Sequence, residues 1–220
     1  MNGLALSSLA KKYSMALSGL FLVFFLFQHF TINFISIFSK DMFNQVSHFM
    51  GNNPLVQFVL QPILIFGVIF HFVMGLILEL DNRKSRSQNY YMTKGSANSS
   101  WISRNMIFSG IVILSFLALH FYDFWFPEMK YKYYHFSPLD PNRYYEEMIH
   151  KFVSPARVLM YSVSFIFLSL HLLHGFSSSF QSMGINIKYI SFIKILTNAF
   201  AIIIPFGFIL IAVFHFYNSH

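Results

Sequence analysis

A chain of 220 residues in which 55% of side chains are hydrophobic and only 10% charged lies outside the range of soluble domains, where about a quarter of residues are charged. With no cysteine, the chain can supply no disulfide, no thiolate metal site and no iron–sulfur ligand. A formal charge of +7 does not point to nucleic acid in such a chain; it reports the excess of basic residues on cytoplasmic loops.

Lys11 and Lys12 precede an apolar run that begins at Tyr13 and continues to about Phe38. No small-x-small cleavage site interrupts that run, so it reads as a retained first span and not as a cleaved signal. Four more apolar stretches follow, at about 57–80, 105–127, 156–180 and 190–217. Each approaches or exceeds the roughly 20 residues that cross about 30 Å of hydrocarbon. They lack the alternation of barrel strands, and backbone satisfaction in lipid then requires helices. Pro62 and Pro205 fall inside two of them and predict kinks. The longest connections, 81–104 and 128–155, hold too few apolar residues for a core of their own. The second is rich in Tyr and Pro and is expected on the outer interface. The expected fold is an all-α integral membrane protein of five transmembrane helices, forming one domain over 1–220.

The loop charges predict orientation. With the N-terminus in the cytoplasm, Lys11, Lys12, Arg83, Lys84, Arg86, Lys94, Arg104, Lys188 and Lys194 fall on inner segments. Lys40, Lys130, Lys132, Arg143, Lys151 and Arg157 fall on outer ones. The basic excess inside favours N-in, C-out.

Four of the spans each carry a deep histidine: His29, His71, His120 and His171. An ionisable side chain in hydrocarbon is costly and points to function. At a rise of about 1.5 Å per residue, His29 lies roughly 24 Å beyond Tyr13 and His120 roughly 24 Å beyond Arg104. His71 lies about 14 Å before Leu80, and His171 about 15 Å before Gln181. Two histidines are thus outer and two inner, and antiparallel spans do not force that match. One histidine from each of two helices at equal depth is what bis-imidazole ligation of a haem iron requires. The other reading of any single such histidine is a hydrogen-bonded packing residue. Gly75 and Gly175 each follow an inner histidine by four residues, on nearly the same helix face, where they leave room for a porphyrin. His174, three residues beyond His171, points about 60° away; it either hydrogen-bonds a neighbour or lines a quinone or propionate pocket. The H-x-x-x-G spacing shared with His71 favours His171 as ligand. His48, His135, His150, His215 and His220 lie in loops or at span ends and read as ordinary interfacial residues.

Five spans with deep histidines on the first four resemble the diheme cytochrome b subunit of succinate:quinone oxidoreductases and quinol:fumarate reductases. The stretches carrying the likeness are FQHFTIN at His29, HFVMG at His71, LHFYDFW at His120 and LHLLHGF at His171. The form most resembled is the compact five-span bacterial one that works with menaquinone. The resemblance implies two b-type haems, one held by His29 and His120 distal to the hydrophilic subunits, the other by His71 and His171 proximal to them. It further implies a flavoprotein subunit and an iron–sulfur subunit docked on the cytoplasmic face, exchange of electrons with quinone, and residence in the bacterial inner membrane. Succinate chemistry would belong to the partners. One branch of that family has a glutamate two residues before the fourth-span ligand; here that place is Ser169, and no such proton route is carried over. For haem propionates, Arg157 is the candidate at the outer layer, with Ser14, Ser18, Trp101 and Arg104 around the inner one. Interfacial anchoring is the alternative role for each. Asn33 and Asp123, about one turn beyond His29 and His120, are quinone candidates, with helix-end solvation as the alternative. Other expectations compatible with the pattern are the cytochrome b subunit of a hydrogenase or formate dehydrogenase, and a histidine-using membrane transporter.

Overall fold

The computed structural model describes residues 7–85, 105–185 and 190–219. Among them the protein is all-helical, without strands. Five helices are long and apolar enough to cross a membrane: Ser8–Ile35, Val56–Lys84, Met106–Tyr134, Pro155–Ser182 and Ser191–Asn218. This is a multi-pass membrane protein. Each span has 28 or 29 residues, roughly 42 Å of helix, so its ends reach beyond the hydrocarbon.

The elements are α1 (Ser8–Ile35), α2 (Lys40–Asn52), α3 (Gln61–Ser85), α4 (Met106–His120), α5 (Phe126–Met129), α6 (Arg143–Phe152), α7 (Pro155–Ser182) and α8 (Ile190–Asn218). Single π-helical turns, Val56–Leu60 and Phe121–Trp125, run directly into α3 and α5. Each wide turn precedes a proline, Pro62 or Pro127, by two residues. A proline ring clashes with the carbonyl four residues back and supplies no N–H, and a widened turn moves that carbonyl aside. The third span, expected to end near residue 127, therefore continues through a further π turn to Tyr134.

α1 packs against α3 and α7, and α4 packs against α7 and more loosely α3. These four helices form a square in which α1 faces α4, and α3 faces α7, across the diagonals. α8 lies outside the square, against α7 and α1. Its inner face is the stripe Ala201, Ile204, Phe208, Ile211, Ala212 and His215, while Ile195, Ile203, Phe206 and Leu210 are exposed for lipid. Gly207 lets Phe30 of α1 lie directly on the α8 backbone; a Cβ there would overlap the ring.

The segment 128–155, expected as a loop, instead contributes a lid. α6 is strongly amphipathic, burying Met148 and Phe152, and α2 buries Phe43 and Asn44. Both pack over the end of the bundle remote from residue 8, hereafter the far end. The N-cap of α6, Asn142, makes no side-chain cap bond. Asn44 of α2 does so in its place, accepting from Tyr145 N at 2.8 Å and donating to Asn142 O at 3.0 Å. Beside it Arg143 pairs with Glu128 and with Glu147 at 2.8 Å, and lies 4.0 Å from the centre of the Tyr131 ring. Burial opposes the Arg143 charge, but the hydrogen bonds of Glu128 and Glu147 outweigh it and hold the guanidinium above its usual range. Burial, and then the Glu128 charge, raise the Tyr144 phenol.

Candidate functional site

The square brings the four deep histidines together as two pairs. The rings of His29 (α1) and His120 (α4) have centroids 5.7 Å apart at an interplanar angle of 85°. Those of His71 (α3) and His171 (α7) are 6.3 Å apart at 67°. It is His171, not His174, whose ring faces His71; His174 is half-buried. Each pair spans one diagonal. The His71/His171 layer is level with Ser18 of α1, and His29 lies eleven residues further along that helix, so the pairs occupy two levels.

The layer nearer the chain start is framed by a repeat that a reading of single spans overlooks. Met15-x-x-Ser18-Gly19 on α1 precedes His29-Phe30, and Met106-x-x-Ser109-Gly110 on α4 precedes His120-Phe121, with nine residues between glycine and histidine in both. The structure uses the two copies alike. Ser18 Oγ lies 3.0 Å from His71 Nδ1, and Ser109 Oγ 3.2 Å from His171 Nδ1. A Cβ at Gly19 would stand 3.3 Å from His71 Cε1, and one at Gly110 would stand 4.0 Å from His171 Cε1. Met15 faces Gly75, and Met106 faces Gly175, at 3.6 and 3.4 Å from where a Cβ would sit. Ser109, Gly19 and Gly110 are thus site residues that the sequence reading missed. Aligning the first span with the third would have found them.

Around the far pair the environment is aromatic. Phe25 stacks on His29 at 5.5 Å, and Phe116, Phe124 and Tyr161 surround His120. Asp123 is wholly buried, contrary to helix-end solvation. Its Oδ1 lies 2.9 Å from Arg157 Nη2, and its Oδ2 accepts from Tyr161 OH at 3.0 Å. A carboxylate this deep persists because a cation and a phenol face it. Arg157 and Asp123, expected at separate tasks, are partners. Asn33 turns back on α1, donating to His29 O at 2.8 Å and lying 3.4 Å from His29 Nε2. His215 is not interfacial: α8 carries it inward to complete burial, with Ser36 Oγ 2.8 Å from its Nε2 and Tyr145 edge-on. A histidine near a helix end is buried here because the α2/α6 lid covers that end. Ser14 is half-buried on α1, one turn before Ser18. Trp101 and Arg104 lie outside the described residues.

No group of three or more His, Asp or Glu side chains gathers as a metal cluster among the described residues; the donors come in twos. Two metal–imidazole bonds of about 2 Å each, plus the ring radii, put coaxial imidazole centroids roughly 6 Å apart, and both pairs meet that spacing. Each pair of imidazoles would therefore suit a metal ion held between its two rings, and a haem iron there would supply one-electron chemistry. Comparison with protein-family models, curated proteins and solved structures finds no match to this chain.

Proposed function

We propose that this chain is the haem-carrying membrane anchor of a succinate:quinone oxidoreductase or quinol:fumarate reductase, moving electrons between an iron–sulfur subunit and quinone. The observation that carries the reading is the pair of facing histidine couples, one on each diagonal of a four-helix square at two levels. His71 and His171 would hold one b-type haem, and His29 and His120 the other; such haems supply one-electron transfer. The excess of basic residues on the segments at the residue-8 end supports a cytoplasmic N-terminus, where flavoprotein and iron–sulfur subunits would dock beside the His71/His171 layer. Arg157, its charge balanced by Asp123, would face a propionate of the far haem. Menaquinone is the expected redox partner in a bacterial inner membrane.

The test is a spectrum with a haem-to-protein ratio. Purified protein should show a low-spin Soret band and two haems per chain, should co-purify with a covalent-flavin subunit, and should be reduced by succinate. A nickel- or molybdenum-containing partner would move the assignment to another quinone-linked complex. Absence of the Soret band would sink the haem reading and favour a histidine-using transporter.

A further inference from the structure

Resting on the haem reading, we propose that Ser18 and Ser109 are a matched pair of positioning residues that hold His71 and His171 as Nδ1–H tautomers, each presenting a bare Nε2 to the iron between them. A serine hydroxyl has one hydrogen to donate. Ser18 Oγ donates to Met15 O at 3.0 Å, and Ser109 Oγ donates to Met106 O at 2.9 Å. With that hydrogen directed at the carbonyl, each oxygen has lone pairs left for the imidazole 3.0 or 3.2 Å away. The imidazole must then be the donor, from Nδ1, and its Nε2 carries the free lone pair. A metal-ligating histidine needs such an acceptor behind it to fix ring and tautomer and to raise its basicity.

Two further facts make this a built arrangement. The contact occurs twice, on different helix pairs, with the same Met-x-x-Ser-Gly sequence and the same i−3 carbonyl. Gly19 lets the His71 ring approach α1 more closely than a Cβ would comfortably allow, and Gly110 lies in the matching place beside His171. The far layer is built differently: His120 Nδ1 is buried without a hydrogen-bond partner, and His29 has no serine but the Asn33 amide, whose Nδ2 lies 3.5 Å from its Nδ1. The same helices that give ligands to one layer thus orient ligands for the other.

The experiment uses the purified complex carrying Ser18→Ala, Ser109→Ala, both together, or Thr at either position. Losing the acceptor makes the imidazole a weaker donor to ferric iron, so the midpoint potential of the His71/His171 haem should rise, further in the double variant. The other haem should not move, and its spectrum reports correct folding. Thr should restore the original value. In bilayers, ¹⁵N spectra of histidine-labelled protein should show a hydrogen-bonded Nδ1–H at His71 and at His171, and each Ala variant should shift the resonance of its own histidine to that of a free N–H. Equal shifts in both haems, no shift in either, or Nε2–H tautomers at His71 and His171 in the unaltered protein would overturn the assignment. If the protein carries no haem, the haem reading fails alone; the nitrogen spectra still decide whether the serines set the tautomer.

Discussion

At the scale of single residues, the two histidine couples make separable predictions on the proposed function. Replacing His71 or His171 by Ala should remove one haem and leave the other's reduced spectrum; His29→Ala or His120→Ala should do the converse, read as one haem per chain. His174→Ala should keep both. The ring planes cross at 85° in the far couple and 67° in the other. If these couples hold haems as proposed, the more nearly perpendicular far rings should give their haem the more anisotropic low-spin EPR signal. Asp123 offers a test of the buried ion pair. Asp123→Asn leaves Arg157 without its counter-charge and should lower stability by about 3 kcal/mol, measured by denaturant unfolding in detergent. Tyr161→Phe should cost about 1 kcal/mol.

Elements behave as their caps and turns dictate. α6 is capped from another helix, so Asn44→Ala should destabilise by about 1 kcal/mol and loosen α6 first, seen as faster amide exchange at Tyr145. The lid should also respond to alkali. The Tyr144 phenol is held above its ordinary value by burial and by Glu128. A raised folded value means the unfolded chain gives up its proton first. The stabilisation is therefore complete below about pH 10 and is lost as pH climbs through the raised folded value. Element boundaries were only partly legible in the sequence. Hydropathy located the five spans, but it ended the third near residue 127, whereas a π turn carries the helix on through the Tyr- and Lys-rich stretch to Tyr134. The mixture of Tyr, Glu and Lys in 143–152 concealed a helix whose apolar face appears only once Met148 and Phe152 meet Phe43.

For the molecule as a whole, the spans are apolar on every side, so no periodicity announced which face turns inward. What the sequence did disclose was depth, because a histidine in hydrocarbon stands out. Depth alone paired His29 with His120 and His71 with His171, as the fold arranges them. Burial of His215 and the union of Asp123 with Arg157 were not legible, since each depends on residues far away in the chain. α8 is docked along its buried stripe, and against α1 it makes one close approach, Phe30 on Gly207. Gly207→Ala should overpack that contact and cost about 1–3 kcal/mol, with loss of both haems at a lower temperature than the unaltered protein.

The repeated Met-x-x-Ser-Gly-x9-His-Phe unit has a consequence for electron flow. Eleven residues separate Ser18 from His29 and Ser109 from His120, a rise of roughly 16 Å along each helix. On the proposed function, the gap between the two haems is thereby set by covalent backbone on α1 and on α4, each linked to the nearer layer through one serine–histidine contact. Bilayer thickness, helix tilt or subunit docking can move the whole bundle without stretching that gap, and the tunnelling rate across it should be correspondingly indifferent to lipid composition. Inserting one residue between Ser18 and His29 would turn the far ligand by about 100° and break the gauge.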